Sequence, residues 1–251
     1  MNEITEKCID WIRGYFNDSH GENAVVGISG GKDSTVVASL CIEALGKEHV
    51  AGVMLPNGEQ NDISDSKRVC DILGITSCIL NVRQMYKSAL WQLRNNAGFE
   101  TTPQTEINIA PRLRMMMLYA FAQSLPNARV ANTSNFDESL MGYSTLWGDS
   151  VGDFAPLKNL HVSQVVEMGL DLGLPEDLVK KAPSDGLTGK TDEEALGFSY
   201  ADVESMWKKL TDYRRDDFTE KEKRACERWE KMKWKGSMVC GIPSFEIDNL
   251  T

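Results

Sequence analysis

The chain lacks a basic footprint. Lys and Arg number 27 against 37 Asp and Glu, a formal net charge of -10, which argues against nucleic acid or anionic lipid as the main partner. It also lacks any metal-binding pattern of cysteine or histidine. Cys8, Cys41, Cys70, Cys78, Cys226 and Cys240 include no CxxC pair, and His20, His49 and His161 stand far apart. Thiols scattered in this way predict buried, unpaired cysteines in a reducing compartment. No apolar run approaches the length of a membrane span. Residues 1–16 mix acids and bases where a signal peptide would carry a basic start and an apolar stretch. The expectation is a cytoplasmic protein with no nucleic-acid and no membrane partner. Neither a GxxxxGK[ST] loop nor a GxGxxG fingerprint occurs, and the six tryptophans form no base-stacking platform.

What the 251 residues do contain is a repeated change of hydrophobic period. Ile4, Cys8, Trp11, Ile12, Tyr15 and Phe16 recur at helical spacing. Residues 24–29 form a short, almost wholly apolar run, the pattern of a strand covered on both faces. From Asp33 the period turns helical through Val36, Val37, Leu40, Cys41, Ala44 and Leu45, and Gly46 ends it. Strands are then predicted at 50–55, 76–82 and 128–132. A helix is predicted at 62–73 and a longer one at 108–125, its start displaced toward Pro111. The fold class expected is α/β, a doubly wound parallel sheet flanked by helices, with its ligand beyond the carboxyl ends of the strands. Residues 134–160 show no period and read as a long functional loop. Short helices are predicted at 161–172 and 175–181, a loop at 183–192, and a solvated charged helix at 208–235. One domain, 1–251, is expected.

Between the first strand and helix stands Ser29-Gly30-Gly31-Lys32-Asp33-Ser34. Two glycines let backbone amides approach phosphate oxygens, and the following helix aims its N-terminal amides at the same point. Ser29, Ser34 and Thr35 add hydroxyl donors. The helix dipole contributes only about 0.3–1 kcal/mol per charge, so further groups must share the work. Asp33 reads in two ways, as a helix cap or as a Mg²⁺ ligand. A carboxylate beside polyphosphate calls for a bridging cation, and Mg²⁺ takes one or two carboxylates plus phosphate oxygens.

The SGGxDS pattern after a strand resembles that of the PP-loop ATP pyrophosphatases, which have the adenine-nucleotide alpha-hydrolase type of Rossmann-like fold. Four further segments are similar to those of one member family, the ammonia-dependent NAD synthetases. They are Pro111-Arg112-Leu113-Arg114-Met115, then Asn132 through Glu138, then Gly142 through Leu157, and finally Lys181 through Tyr200. The resemblance implies ATP-driven adenylation of the nicotinate carboxylate of deamido-NAD, followed by amidation with ammonia to give NAD, AMP and pyrophosphate. It implies ATP contacts from Gly27, Ile28, Ser29, Gly30, Gly31, Lys32, Asp33, Ser34, Gln60, Thr133 and Ser184. Asp33 and Glu138 are implied as magnesium ligands, and Arg112, Asp153 and Lys235 as deamido-NAD contacts. Asp33, Glu138 and Asp153 are the implied catalytic residues, Asp153 favouring the incoming amine. A homodimer is implied as well. Arg114, two residues from Arg112 on a helix, faces elsewhere. Asp149 reads as a ligand of turn amides rather than a catalyst.

The chain departs from the family pattern at Leu146 and Val162, where lysines are common, and at Trp234, beside Lys235, where histidine is common. No glutaminase domain is expected before the loop, so free ammonia is the expected nitrogen donor unless a separate subunit supplies it. The competing readings are another PP-loop ATP pyrophosphatase, such as a tRNA thiolase or an amidating ligase, and an adenine-nucleotide sensor. A thiolase would carry CxxC pairs or an RNA-binding extension. A sensor would keep the loop without its carboxylates.

Overall fold

The side chain of Asn2 accepts the Thr5 amide and opens helix α1, Glu3–Asp18, whose buried face carries Cys8, Ile9, Ile12 and Phe16. The computed structural model, which describes residues 1–59, 63–181, 191–238 and 241–247, continues as β1 (Asn23–Gly27), α2 (Lys32–Leu45), β2 (Val50–Met54), α3 (Ile63–Leu73), β3 (Thr76–Ile79), α4 (Arg83–Trp91), α5 (Pro103–Ala122) and β4 (Ala128–Val130). A helical second half follows: α6 (Phe136–Met141), α7 (Val162–Asp171), α8 (Glu176–Val179), α9 (Asp192–Leu196), α10 (Tyr200–Thr211) and α11 (Glu220–Met238). No described helix is long and apolar enough to cross a membrane.

The four strands pair in parallel in the order β3-β2-β1-β4. One face of the sheet presents Ala24, Val26, Val50 and Met54 to α1, α2, α3 and α7. The other presents Val25, Ala51, Val53 and Val130 to Met115, Leu118 and Ala122 of α5. Burial on both faces explains why β1 and β2 read as unbroken apolar runs and not as alternating ones. A third cluster, built on Met141, Tyr200, Val203, Met206 and Ala225, packs α6, α10 and α11 together. Cys8, Cys41, Cys70, Cys78 and Cys226 are unpaired thiols. Burial pushes the Cys41 thiol up to about 12, which leaves it a packing group. Cys240 lies outside the described residues.

Four sequence expectations need correction. The long helix begins at Pro103, not near Pro111: Thr102 caps it by accepting the Thr105 amide, Pro103 occupies the first turn, and Pro111 sits inside. The aperiodic stretch 134–160 contains α6, too short to show a period and announced instead by the Asn135–Glu138 capping box. The charged stretch 208–235 is two helices, split by a single turn at Arg215–Asp217. Helix α4 had no counterpart in the sequence reading; Leu90 is its one buried residue. The expected loop at 183–192 falls largely outside the described residues.

Candidate active site

The strand order reverses between β1 and β4, the place in an open parallel sheet where a crevice forms. A cavity of about 920 Å³ opens there. Its inner wall is the turn after β1. Gly30 holds φ +81, and a Cβ on it would stand 2.9 Å from the Ser66 amide, so only glycine fits at that approach. Gly31 caps α2 with no side chain, which leaves the first amides of the helix for a ligand. The turn is braced internally. Ser29 Oγ accepts the Gly31 amide at 3.2 Å and lies 3.1 Å from Ser34 Oγ, and Thr35 Oγ1 donates to the Gly31 carbonyl at 2.8 Å. Gly27, Ile28, Ser29, Gly31, Lys32, Asp33 and Ser34 all face the cavity, while Gly30 shapes the turn from behind.

Asp33 is therefore not the helix cap; Gly31 is. Its carboxylate accepts from Lys32 Nζ at 2.8 Å and from Asn135 Nδ2 at 3.2 Å. Asn135 also joins the capping box of α6, accepting the Glu138 amide at 3.0 Å while Glu138 Oε2 accepts the Asn135 amide at 3.2 Å. One residue thus couples the two carboxylates across the seam of the sheet, Asp33 through its side-chain amide and Glu138 through its backbone amide. Burial, and then the charge of Asp33, push the Glu138 carboxyl well above the usual carboxylate range. Two oxygen-donor carboxylates held together at such a cost fit a divalent cation of the magnesium type. Lys32, 3 % exposed, lies in the same wall. Burial opposes its charge, but Asp33, Glu138 and Asp192 outweigh that and raise its pKa.

Thr133 reaches the cavity from the end of β4. The opposite wall comes from α5, through Asn108, Pro111, Arg114 and Met115, and from the turn 142–149. Asp149 Oδ1 accepts the Thr145 amide at 2.5 Å, the turn-bracing role expected of it. Lys235 of α11 donates to the carbonyls of Gly142 and Ser144 at 2.9 and 3.1 Å, and Arg228 to that of Met141 at 2.8 Å. Burial, and then the neighbouring Arg228, lower the Lys235 pKa.

Two implied residues are placed differently from this group. Asp153 turns away from the cavity: its carboxylate accepts the Val130 amide at 2.8 Å and the Tyr119 hydroxyl at 3.1 Å, and its carbonyl accepts the Tyr15 hydroxyl at 2.9 Å. Arg112 is exposed, its Nε donating to the Leu146 carbonyl at 3.1 Å. Of the pair on α5 it is Arg114 that lines the cavity, with Nε donating to the Leu55 carbonyl at 3.0 Å. Gln60 and Ser184 lie outside the described residues. Val162 donates its amide to Asp137 at 2.8 Å and packs its side chain against the third cluster.

The sequence reading assigned no role to Arg228 or Asp192. Arg228 hides in a helix that reads as solvated. Asp192, 4 % exposed, lines the cavity and accepts the Tyr200 hydroxyl at 3.2 Å. The Thr191–Glu194 capping box was the available signal that a helix start would fix it. A separate trio, Asp137, His161 and Glu204, has ligand atoms within 4.8 Å of one another. These carboxylates accept the Val162 and Ser163 amides at the start of α7, so the trio is a helix-capping network.

The family model described as NAD synthase matches residues 4–236. The NH(3)-dependent NAD(+) synthetase of Thermococcus sibiricus is 38% identical over 211 residues, 84% of this chain and 81% of its own length. That of Archaeoglobus fulgidus is 34% identical over 243 residues, 95% of each. Among solved structures, an NMN synthetase from Francisella tularensis has a TM-score of 0.81 and 31% identity over 98% of both chains. An NH3-dependent NAD synthetase from Campylobacter jejuni has a TM-score of 0.77 and 29% identity, covering 98% of this chain and 100% of its own. By sequence and by fold alike, this chain belongs to the NAD synthase family.

Proposed function

We propose that the protein is an ammonia-dependent NAD synthetase that activates deamido-NAD with ATP. The observation that carries this reading is the convergence of the 29–34 turn with Asp33 and Glu138 in one cavity of a chain of this family. A nicotinate oxygen attacks the α phosphorus, the bond to the bridging oxygen breaks, and pyrophosphate departs with its electron pair. The free amides at the start of α2 and the hydroxyls of Ser29 and Ser34 hold that leaving group. Asp33 and Glu138 would hold Mg²⁺, which would supply charge compensation at the phosphate oxygens when bound. Ammonia then attacks the carbonyl carbon of the acyl-adenylate and AMP leaves.

Gly27, Ile28 and Thr133 take the nucleoside side of ATP, and Gln60 and Ser184 complete it by family resemblance. Lys235 shapes the deamido-NAD wall by holding the Gly142 and Ser144 carbonyls. Asp153, with both carboxylate oxygens engaged, is a positioning residue that ties residue 153 to β4, ahead of Thr133. Arg112 and Met116, one helical turn apart and both exposed, suit a homodimer in which Arg112 meets substrate at the shared face. The unpaired thiols support a cytoplasmic location.

Incubation with ATP, Mg²⁺, deamido-NAD and either ammonium or glutamine tests the reading. Ammonium should give NAD and AMP in equal amounts, and glutamine should not. A second reading, amidation of nicotinate mononucleotide, is favoured by the NMN synthetase among the similar structures and by the loss of charge at Leu146. Substituting the mononucleotide in the same assay separates the two. Product from neither substrate would refute both.

A further inference from the structure

Lys32 is the first residue of α2 and is 3 % exposed. A turn that grips phosphate through backbone amides does not require a lysine there. Its Nζ stands 2.8 Å from Asp33 Oδ2, while the other oxygen of Asp33 is held by Asn135 at 3.2 Å. Glu138 and Asp192 line the same cavity, and both act electrostatically on this ammonium. Three carboxylates therefore surround one tethered positive charge.

We propose that the Lys32 ammonium is an intramolecular stand-in for the divalent cation, occupying Asp33 in the nucleotide-free protein and displaced from it when metal enters with ATP. The inference rests on the reading of Asp33 and Glu138 as the metal ligands. With Oδ1 already accepting from Asn135, Oδ2 is the oxygen more open to a cation, and Nζ already stands on it. Two positive charges cannot share that oxygen at hydrogen-bond distance without strong repulsion. A lysine suits the task because its charge is compact and its four-carbon stem is flexible. Nucleotide supplies the new partner: a triphosphate seated on the α2 amides offers the ammonium anionic oxygens within the same cavity. The consequence is an order of events. Bare metal competes poorly with a charge built into the chain, whereas metal arriving with ATP brings the phosphate that draws the lysine away.

The test is a titration of the metal-free, nucleotide-free protein with Mn²⁺, read from the loss of the free-ion electron paramagnetic resonance signal. Wild type should bind weakly. Lys32→Gln and Lys32→Met should bind about tenfold tighter or more, a change expected when a competing charge leaves a partly buried site. Adding Asp33→Asn to Lys32→Gln should abolish the gain, and Lys32→Arg should stay as weak as wild type. Millimolar Mg²⁺ alone should raise the melting temperature of Lys32→Gln and not that of wild type. Unchanged Mn²⁺ affinity in the uncharged variants, or a gain that survives Asp33→Asn, overturns the proposal. Should the uncharged variants not fold, wild type decides: the Lys32–Asp33 contact, followed by ¹⁵N resonance of the lysine ammonium, must be lost when Mg²⁺ and α,β-methylene-ATP are added together, and a contact that persists overturns the proposal. If the synthetase reading fails, wild type makes no NAD while Lys32→Gln still gains Mn²⁺ affinity. If only this inference fails, wild type makes NAD and Lys32→Gln gains nothing.

Discussion

At the phosphate end of the cavity, the turn after β1 holds itself together by bonds spanning 2 to 5 residues. At the other end, the carbonyls of Gly142 and Ser144 and that of Met141 are gripped by Lys235 and Arg228, across 87 to 93 residues. A local scaffold presents atoms to a group common to every nucleoside triphosphate. The long-range scaffold presents a wall whose shape depends on how α11 docks. Under the proposed function the first end would carry the reaction chemistry and the second the choice of substrate, and four experiments can break or sharpen that division.

The largest effect is expected at the local end. Asp33→Asn and Glu138→Gln should each lower turnover about 10²–10³-fold, measured by pyrophosphate release, with the fold intact. For Glu138 the sign on stability is opposite to that on activity. Its pKa is raised in the folded state, so the stability gained by protonation is full below the ordinary carboxylate range and lost as pH rises through the raised value. Glu138→Gln should therefore melt above wild type at neutral pH in metal-free buffer; a lower melting temperature would refute the burial argument.

Next is the anchor of the long-range scaffold. Glu222, 3 % exposed, accepts from Lys209 Nζ at 2.8 Å and so joins α11 to α10. Burial alone would raise its pKa, but Lys209, Ser205 and Thr219 outweigh it and bring the carboxyl down to about 2. Its contribution is present above the ordinary carboxylate range and lost as pH falls toward about 2. Glu222→Gln should cost about 3 kcal/mol in urea unfolding at pH 7, a difference that narrows on acidification. Gly142→Ala comes third. Gly142 has φ +59, and an added Cβ would stand 2.7 Å from Met232 Cβ, costing about 1–3 kcal/mol. Lys235→Ala should be mildest, raising KM for deamido-NAD about tenfold and leaving KM for ATP within about twofold. Equal losses toward both substrates would erase the division between the two ends.

The same contrast explains what was legible in the sequence. Gly30, Gly31, Asp33 and the strand before them lie in one short window, and backbone geometry alone relates them. The capping box that holds Glu138 was equally local, but its six-residue helix is too short to show a period. Choosing between Arg112 and Arg114 needed the orientation of α5 against the sheet, which depends on Leu118 and Ala122 meeting Val25 and Val130. Reading the helix start at Pro111 failed because two prolines competed and the capping hydroxyl of Thr102 decided between them. Arg228 and Asp192 could not be found by periodicity, since their burial is created by packing and not by local pattern.

The bond from Asn135 to Asp33 spans 102 residues, and it has a consequence for the chain as it is made. A nascent polypeptide that has emerged only as far as α5 already holds the whole phosphate-gripping turn, yet neither Asn135 nor Glu138 exists to complete it. In such a chain the Asp33 carboxylate lacks its Asn135 partner, so the turn takes its finished form only after the residues that follow β4 have been made.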